Sequence, residues 1–211
     1  MKIKTNFTTI LFYVVSAVAY FIILFGRANP IISLLLLFIF SISVYMGSFY
    51  LQKDNKNYTE KVMKITFLIL FVAYSVYTIS LLFTNIYFGR DEILEAGINL
   101  IPFKTIFLFL TSANEHTLPL SAIITNLVGN LIAFTPLSFY LPLFFKRTRK
   151  FWFHILIVTL IIVIIEILQL LLKCGSCDID DIILNVLGVT ISYPIFNNKK
   201  SINIIKKLTM F

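Results

Sequence analysis

Charged residues are scarce in this sequence: they make up only 13% of its 211 positions, whereas hydrophobic residues make up 59%. The mean hydropathy of +0.93 lies well outside the range of soluble domains. This composition excludes an ordinary soluble domain, because so apolar a chain needs lipid as its solvent. The length suits one compact bundle, and we expect residues 1–211 to form a single membrane domain.

Cysteine and histidine are also scarce, with two residues of each type. Cys174 and Cys177 form one CxxC pair, which could close a disulfide or hold a metal, but no second pair or histidine lies near it. We interpret both cysteines as small loop residues. His116 and His154 complete no metal site or catalytic triad, so the sequence predicts no metal and no cofactor.

Basic residues outnumber acidic ones and give a formal net charge of +8. This excess does not indicate a nucleic-acid partner, because the basic residues lie in clusters between apolar runs and form no basic groove on a soluble fold. Such clusters are typical of the cytoplasmic connections of a membrane protein. We therefore expect membrane lipids as partners and no nucleic acid.

Six apolar runs can cross the hydrocarbon layer of a membrane, which needs about 20 residues, if the last run is extended at its ends. They cover residues 7–25, 31–51, 62–83, 121–145, 151–172 and 182–196. The sequence thus predicts an all-α fold, a polytopic transmembrane helical bundle of about six spans. We expect Pro136 to kink the fourth span and to free the carbonyl of Ile132.

Fourteen of the eighteen Lys and Arg residues fall on one side of this predicted bundle. The positive-inside rule therefore places the N and C termini in the cytoplasm and the first, third and fifth connections outside. The fourteen residues are Lys2, Lys4, Lys53, Lys56, Lys61, Lys64, Lys146, Arg147, Arg149, Lys150, Lys199, Lys200, Lys206 and Lys207.

The third connection, residues 84–120, is the only long one. Its apolar run at 98–110 is too short to cross a membrane, and Asn99, Pro102 and Lys104 interrupt it. A run of this length and composition is typical of an interfacial or re-entrant segment, here on the outer face. We expect Asn99, Pro102 and Phe103 to form the rim of a site there.

Glu166 and Gln169 are three residues apart in the fifth span, so they project from one helix face near its predicted outer end. An ionisable group inside a span costs about 2.5 to 3.5 kcal/mol on insertion scales, and such residues usually face the bundle interior. A hydrogen bond that packs helices together is one explanation. A functional site is the interpretation that we favour.

The sixth apolar run is only fifteen residues long, so the span must extend outward into an acidic segment. Asp178, Asp181 and Asn185 then share one helix stripe, at i, i+3 and i+7, while Asp180 points elsewhere. One of the aspartates is expected to be the helix N-cap, but three acids exceed what a cap requires.

Two asparagines on the fourth span, Asn126 and Asn130, lie at a similar predicted depth. Gly129 lies between them, and the pattern Asn-x-x-Gly recurs at Asn185 and Gly188. Amides and glycines also serve helix packing, so packing and function explain this pair equally well. Together these patterns predict a ligand-binding polar cluster near the outer leaflet, formed by Glu166, Gln169, Asp178, Asp181, Asn185, Asn126 and Asn130.

The order and spacing of these motifs resemble the VanZ-like family over residues 99–193. The motifs are Asn99-Leu-Ile-Pro-Phe103; Asn126-Leu-Val-Gly-Asn130 with Phe134, Pro136 and Pro142; Glu166 with Gln169; and Asp178-Ile-Asp-Asp181 with Asn185 and Gly188. Residues 1–88, with the first three spans, are expected to be scaffold. The resemblance implies a multi-pass protein of the bacterial cell membrane, related to an accessory protein associated with low-level resistance to the glycopeptide teicoplanin.

Two positions depart from the pattern of that family. Gly175 stands where the family commonly has an arginine, three residues before Asp178, and Ser138 replaces a frequent glycine. The missing arginine removes a partner for an anion or a carboxylate. Lys173 could replace it only as a looser point charge.

Three functions are compatible with these features. The first is a protein, not an enzyme, that engages an amphiphile at the outer leaflet, either a lipoglycopeptide such as teicoplanin or a lipid-linked cell-envelope precursor. The second is a membrane enzyme acting on lipid-linked substrates, with Glu166 and the aspartates as acid and base or as ligands of a divalent cation. The third is a transporter, for which Glu166 would carry protons.

Overall fold

The structure is a computed structural model that describes residues 5–25, 30–54, 59–83 and 97–209. The chain divides into two compact units, one formed by residues 1–81 with 203–211 and the other by residues 82–202. Both units are helical, as the long apolar runs of the sequence predict.

Three long helices form the first unit: α1 (Phe7–Phe25), α2 (Pro30–Asp54) and α3 (Thr59–Phe83). Asn6 caps α1, because its side-chain oxygen accepts the backbone N–H of Thr9 at 2.8 Å. Hydroxyl groups connect the three helices: Tyr13 and Ser48 pair at 3.0 Å, and Thr66 donates to Ser48 Oγ. These hydrogen bonds contribute to packing in lipid, where no hydrophobic effect draws helices together.

The second unit contains two short strands and a series of helices of very different lengths. The strands are β1 (Ile98–Asn99) and β2 (Cys177–Asp178). The helices are α4 (Lys104–Glu115), α5 (Leu120–Ala133), α6 (Leu137–Phe144), α7 (Phe151–Leu171) and α8 (Ile179–Asn197). A further helix, α9 (Lys199–Thr209), follows α8, and its residues from 203 onward belong to the first unit.

Among the described residues, six helical segments are long and apolar enough to cross a membrane. They cover Phe7–Phe25, Leu35–Lys53, Glu60–Phe83, Leu120–Phe144, Phe151–Leu171 and Ile179–Asn197. The predicted all-α polytopic fold with six spans is thereby confirmed. The side of the membrane that each terminus faces stays a prediction.

The fourth span consists of two helices where the sequence predicts one kinked helix. α5 ends at Ala133, and α6 begins at Leu137, directly after Pro136. The carbonyl of Ile132, which we expected the proline to free, accepts the backbone N–H of Thr135 at 3.0 Å and its hydroxyl at 2.9 Å. The turn at Thr135 thus satisfies the carbonyl, and the proline separates two helices.

The described part of the third connection, from Gly97 onward, is ordered around β1 and α4. β1 pairs in parallel with β2, with Ile98 opposite Cys177 and Asn99 opposite Asp178. α4 has only twelve residues, which at 1.5 Å per residue is too short to cross a membrane. Residues 84–96 lie outside the described residues, and the interfacial or re-entrant placement of the segment stays a prediction.

Candidate functional site

Side chains from four helices of the second unit line one cavity with a volume of ≈ 170 Å³. We call it the polar cavity. Its lining residues come from α4, α5, α7, α8, the connections beside them and the last residues of α3, which from residue 82 belong to the second unit; they are Leu82, Thr105, Phe109, Asn126, Asn130, Phe134, Ile165, Glu166, Gln169, Gly175, Ser176, Asp178, Asp181 and Asn185.

α7 contributes Glu166 and Gln169 to the polar cavity, and their spacing of three residues places both on one helix face. Both side chains are buried, with Glu166 4% exposed. Gln169 Nε2 donates to the carbonyl of Leu82 at 2.9 Å. Glu166 Oε2 accepts the backbone N–H of Asp178 at 3.3 Å, so the acid of one span contacts the start of the next.

Asp178 immediately precedes α8, and its carboxylate forms hydrogen bonds with the first turn of α8, with β1 and with α4. Its Oδ1 accepts the backbone N–H of Asp180 at 2.9 Å, which makes Asp178 the N-cap of α8. The same oxygen accepts Asn99 Nδ2 at 2.9 Å, and Oδ2 accepts the hydroxyl of Thr105. One carboxylate therefore fixes β1 and the first turn of α4 against the start of α8.

Asp180 lies in α8, but its side chain caps the N-terminus of α4. Its carboxylate accepts the backbone N–H groups of Phe103, of Thr105 at 2.7 Å and of Ile106 at 3.1 Å, all at the start of α4. These are donors that a helix leaves unsatisfied at its N-terminus, and a negative charge there also complements the helix dipole. Asp180 is 1% exposed, so it sits in the interior of the unit.

Asp181 and Asn185 face α5 from the next turn of α8. Asn130 donates its amide to Asp181 Oδ1, and Asn185 Nδ2 donates to the carbonyl of Asp181 at 2.8 Å. Asn185 is 3% exposed, and its Oδ1 has no hydrogen-bond partner within the described residues. A buried amide oxygen without a donor costs about 1 to 3 kcal/mol.

A close approach of α5 to α8 brings these side chains together. A Cβ atom added at Gly188 would lie 1.7 Å from the carbonyl oxygen of Leu131, so only glycine allows this spacing. The glycine of the other Asn-x-x-Gly segment, Gly129, has more space around it. A Cβ added there would meet nothing nearer than Thr125 Cγ2 at 3.9 Å. The two repeats of the pattern therefore have different roles in packing.

Cys174 and Cys177 lie at the edge of this region and are not joined by a disulfide. The backbone N–H of Cys177 donates to the carbonyl of Gly97 at 3.1 Å beside the β1–β2 pair. Burial raises the pKa of the Cys177 thiol, and the nearby carboxylates of Glu166 and Asp178 raise this pKa further. Cys177 is therefore protonated at neutral pH and is a poor nucleophile.

The structure brings all seven residues of the predicted polar cluster to the polar cavity: Glu166, Gln169, Asp178, Asp181, Asn185, Asn126 and Asn130. It does not bring the predicted rim there, because Asn99, Pro102 and Phe103 are not among the lining residues. Asn99 and Phe103 instead tie β1 and α4 to Asp178 and Asp180. That the cluster binds a ligand stays a prediction.

Sequence reasoning missed three residues that organise this region, Thr105, Phe109 and Asp180. Thr105 and Phe109 line the polar cavity from α4, and Asp180 caps that helix. The N-cap position of α4 is Phe103, which makes no side-chain cap, so the usual helix-start signal is missing there. No local signal links Asp180 to a helix that lies about 75 residues earlier in the chain.

The lining of the polar cavity is acidic. Glu166, Asp178 and Asp181 supply carboxylates, and none of its described lining residues is Lys, Arg or His. Most of the remaining lining is amide, hydroxyl or apolar. The carboxyl and amide oxygens of this lining can accept hydrogen bonds.

Comparison with known proteins extends the resemblance. A family model described as VanZ/LLP1 matches residues 5–200, which includes the first three spans as well as the polar cavity. No curated protein matches the chain, and no solved structure does. With a match over nearly the whole length and six candidate spans, the chain belongs to the VanZ/LLP1 family and is a multi-pass membrane protein.

Proposed function

We propose that this VanZ-like protein of the bacterial cell membrane binds an amphiphile at the outer leaflet, with the polar head of the amphiphile in the polar cavity. One observation carries the proposal. The seven polar residues of the predicted cluster all line one cavity, and Glu166, Asp178 and Asp181 are three acids among them. Polar and ionisable groups in membrane spans are costly and usually mark a functional site.

The two faces of α4 support an amphiphile as the ligand. One face carries Thr105 and Phe109, which line the polar cavity. The other exposes Phe107, Leu108 and Leu110, with Phe107 63% exposed. A molecule with its head in the cavity would find apolar surface for its chain on the same helix, as interfacial helices provide.

The cavity limits how much of the ligand enters. Its volume of ≈ 170 Å³ corresponds to roughly five or six water molecules at about 30 Å³ each. A complete lipoglycopeptide or lipid-linked precursor cannot fit, so one end group of such a molecule enters and the rest lies outside. Binding of this kind would account for low-level resistance to a glycopeptide such as teicoplanin, through capture of the drug or of an envelope precursor.

Substitution of two acids that line the cavity tests the proposal. We expect Glu166→Ala combined with Asp181→Ala to weaken binding of teicoplanin or of a polyprenyl-linked envelope precursor at least tenfold, because both carboxylates line the cavity. Binding is measured on purified full chain in nanodiscs, and the susceptibility of a bacterial host to teicoplanin is measured in parallel.

The matched control changes Glu60 and Glu115 to alanine together, since both acids are exposed and neither lines the cavity. The control should bind as the unchanged protein does. If a folded Glu166→Ala, Asp181→Ala protein retained full binding of both amphiphiles and unchanged susceptibility, the proposal would be wrong.

A further inference from the structure

We infer that one end of the second unit is a binding surface for the phosphate group of an anionic phospholipid. This surface, which we call the basic surface, consists of six exposed cationic side chains from two segments of the chain. They are Lys146, Arg147, Arg149, Lys150, Lys199 and Lys200. None of them lines the polar cavity, so the inference goes beyond the proposed function and holds or fails independently of it.

The fold brings the two basic segments to the same end of the second unit. One segment contains the short 3-10 helix Lys146–Arg149, between α6 and α7, and the other directly follows α8. Near the end of α8, Tyr193 Oη donates to the carbonyl of Arg149 at 2.6 Å. Asn197, the last residue of α8, donates its amide N–H to the carbonyl of Ser138 in α6 at 2.9 Å. The end of α8 therefore packs beside the first basic segment.

The six cations of the basic surface form no ion pair within the described residues. The sequence explains this, because it contains no Asp or Glu from residue 116 to 165 or from residue 182 to 211. Like charges that lie close together repel one another, and an anionic group placed among them relieves this repulsion. The surface is therefore complementary to a negatively charged ligand.

Arg149 is held in position within this surface. Its Nε donates to the carbonyl of Pro142 at 2.9 Å, and its own carbonyl accepts Tyr193 Oη. The neighbouring Thr148 is buried, and its hydroxyl donates to the carbonyl of Phe145 at 2.8 Å. A guanidinium group has further N–H donors beyond Nε, and it can give two parallel hydrogen bonds to one phosphate. Arg149 is thus a preorganised donor for a phosphate group.

Apolar side chains beside the cations favour a phospholipid over free phosphate. Phe145 lies just before the 3-10 helix and is 55% exposed, while Trp152 lies just after it and is 80% exposed. Lys150 directly precedes α7, which is one of the candidate membrane spans. A tryptophan at the end of a span is typical of the boundary between head groups and acyl chains. A phospholipid can place its phosphate on the cations and its acyl chains along these rings.

The test compares phosphatidylglycerol with phosphatidylcholine of identical acyl chains, on the purified full chain in a non-ionic detergent. Native mass spectrometry measures the binding of each lipid. We expect phosphatidylglycerol to bind about tenfold more tightly, because it alone carries a net negative charge. An excess of inorganic phosphate should leave the lipid bound. Displacement by phosphate would overturn the assignment of this surface to a lipid.

Removal of two charges connects the preference with the basic surface. Arg147→Gln combined with Lys150→Gln should weaken phosphatidylglycerol binding about tenfold, since both side chains are exposed and cationic. The matched control is Lys53→Gln combined with Lys61→Gln, which removes two exposed cations of the first unit. This control should bind phosphatidylglycerol as the unchanged protein does.

Arg149→Lys distinguishes a fixed phosphate site from diffuse positive charge. Lysine keeps the charge but loses the hydrogen bond to Pro142 and the paired donors of a guanidinium group. We expect phosphatidylglycerol binding to weaken about fivefold. Arg147→Lys is the matched control, because the Arg147 side chain is exposed and makes no hydrogen bond to a described residue. Unfolding midpoints show that the proteins compared are folded.

Equal binding of the two phospholipids would overturn the inference. Equal losses in the Arg147–Lys150 and Lys53–Lys61 variants would also overturn it, because the preference would then come from overall charge. Similar binding by folded Arg149→Lys and Arg147→Lys proteins would contradict the phosphate site at Arg149. None of these outcomes changes the proposed function, which substitutions in the polar cavity test separately.

Discussion

Replacing Gly188 by alanine is expected to destabilise the protein by more than about 3 kcal/mol, the upper part of the range for overpacking a tight contact. The added Cβ would lie 1.7 Å from the backbone oxygen of Leu131, and a backbone atom cannot move aside as a side chain can. α5 and α8 would have to separate, which would also pull Asn130 away from Asp181. Thermal unfolding of the purified protein in detergent, followed by circular dichroism, measures the loss.

Gly129→Ala is the matched control for this substitution. The same change at Gly129 places a Cβ at an ordinary distance of 3.9 Å from Thr125, and alanine is the better helix former by about 1 kcal/mol. We expect the unfolding midpoint of Gly129→Ala to equal or exceed that of the unchanged protein. Similar midpoints for the two glycine variants would show that α5 and α8 are not in the contact described here.

Replacing Asp180 by alanine is expected to destabilise the second unit by roughly 2 to 4 kcal/mol, as the sum of a lost helix cap and unsatisfied buried donors. Three backbone N–H groups at the start of α4 lose their acceptor in this variant. Phe103 has a left-handed backbone with φ of 66°, a conformation that a non-glycine residue adopts only when its surroundings hold it. Loss of the hydrogen bond from the Phe103 N–H to Asp180 should let Phe103 leave this left-handed conformation.

Protease cleavage between residues 98 and 106, together with the unfolding midpoint, measures this effect. Asp180→Asn, which keeps one acceptor oxygen, should fall between the unchanged protein and Asp180→Ala. Glu115→Ala is the control, because Glu115 is exposed at the far end of α4 and surface changes alter stability by no more than about 0.5 kcal/mol. If Asp180→Ala and Glu115→Ala behaved alike, the role of Asp180 as the cap of α4 would be wrong.

The membrane spans could be predicted from sequence because each depends on a continuous apolar run. The predicted run at 151–172 corresponds to α7 at Phe151–Leu171, and the run at 7–25 corresponds to α1. The undersized run at 182–196 also extends as expected, since α8 begins at Ile179 after an aspartate cap. Length and hydropathy are local properties, so one sequence contains them fully.

The polar cluster could be predicted because buried polar residues in a span are rare and helical spacing gives their direction. Spacing of three or four residues places Glu166 with Gln169, and Asp181 with Asn185. The same reasoning could not show which oxygen lacks a partner. Asn185 Nδ2 donates to the carbonyl of Asp181 while Asn185 Oδ1 has no partner within the described residues, and this difference is a detail of side-chain packing.

The rest of the site depends on contacts between residues far apart in sequence. The β1–β2 pair joins Asn99 to Asp178, and the cap of α4 joins Asp180 to Thr105. Neither contact is marked by a helical or strand repeat in the sequence, because each joins two short segments that lie far apart in the chain. Sequence reasoning therefore found the apolar run of α4 but not the contacts that join it to β2 and α8.

The division of the fourth span shows a similar limit. Pro136 indicates a break, but whether the helix bends or ends depends on how the preceding carbonyls are satisfied. Here the hydroxyl of Thr135 donates to the carbonyl of Ile132. Ser138 is completely buried, and its hydroxyl pairs with Ser192 Oγ at 2.9 Å. The position of α6 is thus fixed by a partner on α8, which the local sequence does not indicate.

The central claim is that an amphiphile places its head in the polar cavity, and photo-crosslinking tests it most directly. Two photoreactive amphiphiles, a teicoplanin derivative and a polyprenyl-linked envelope precursor, carry a diazirine next to the polar end group and are added to the full chain in nanodiscs. We expect at least one of them to give adducts at residues 105–109 of α4 and 165–169 of α7, removed by an excess of the unlabelled amphiphile. Adducts confined to α1, α2 and α3, or adducts on α4 and α7 that no competitor removes, would contradict the account.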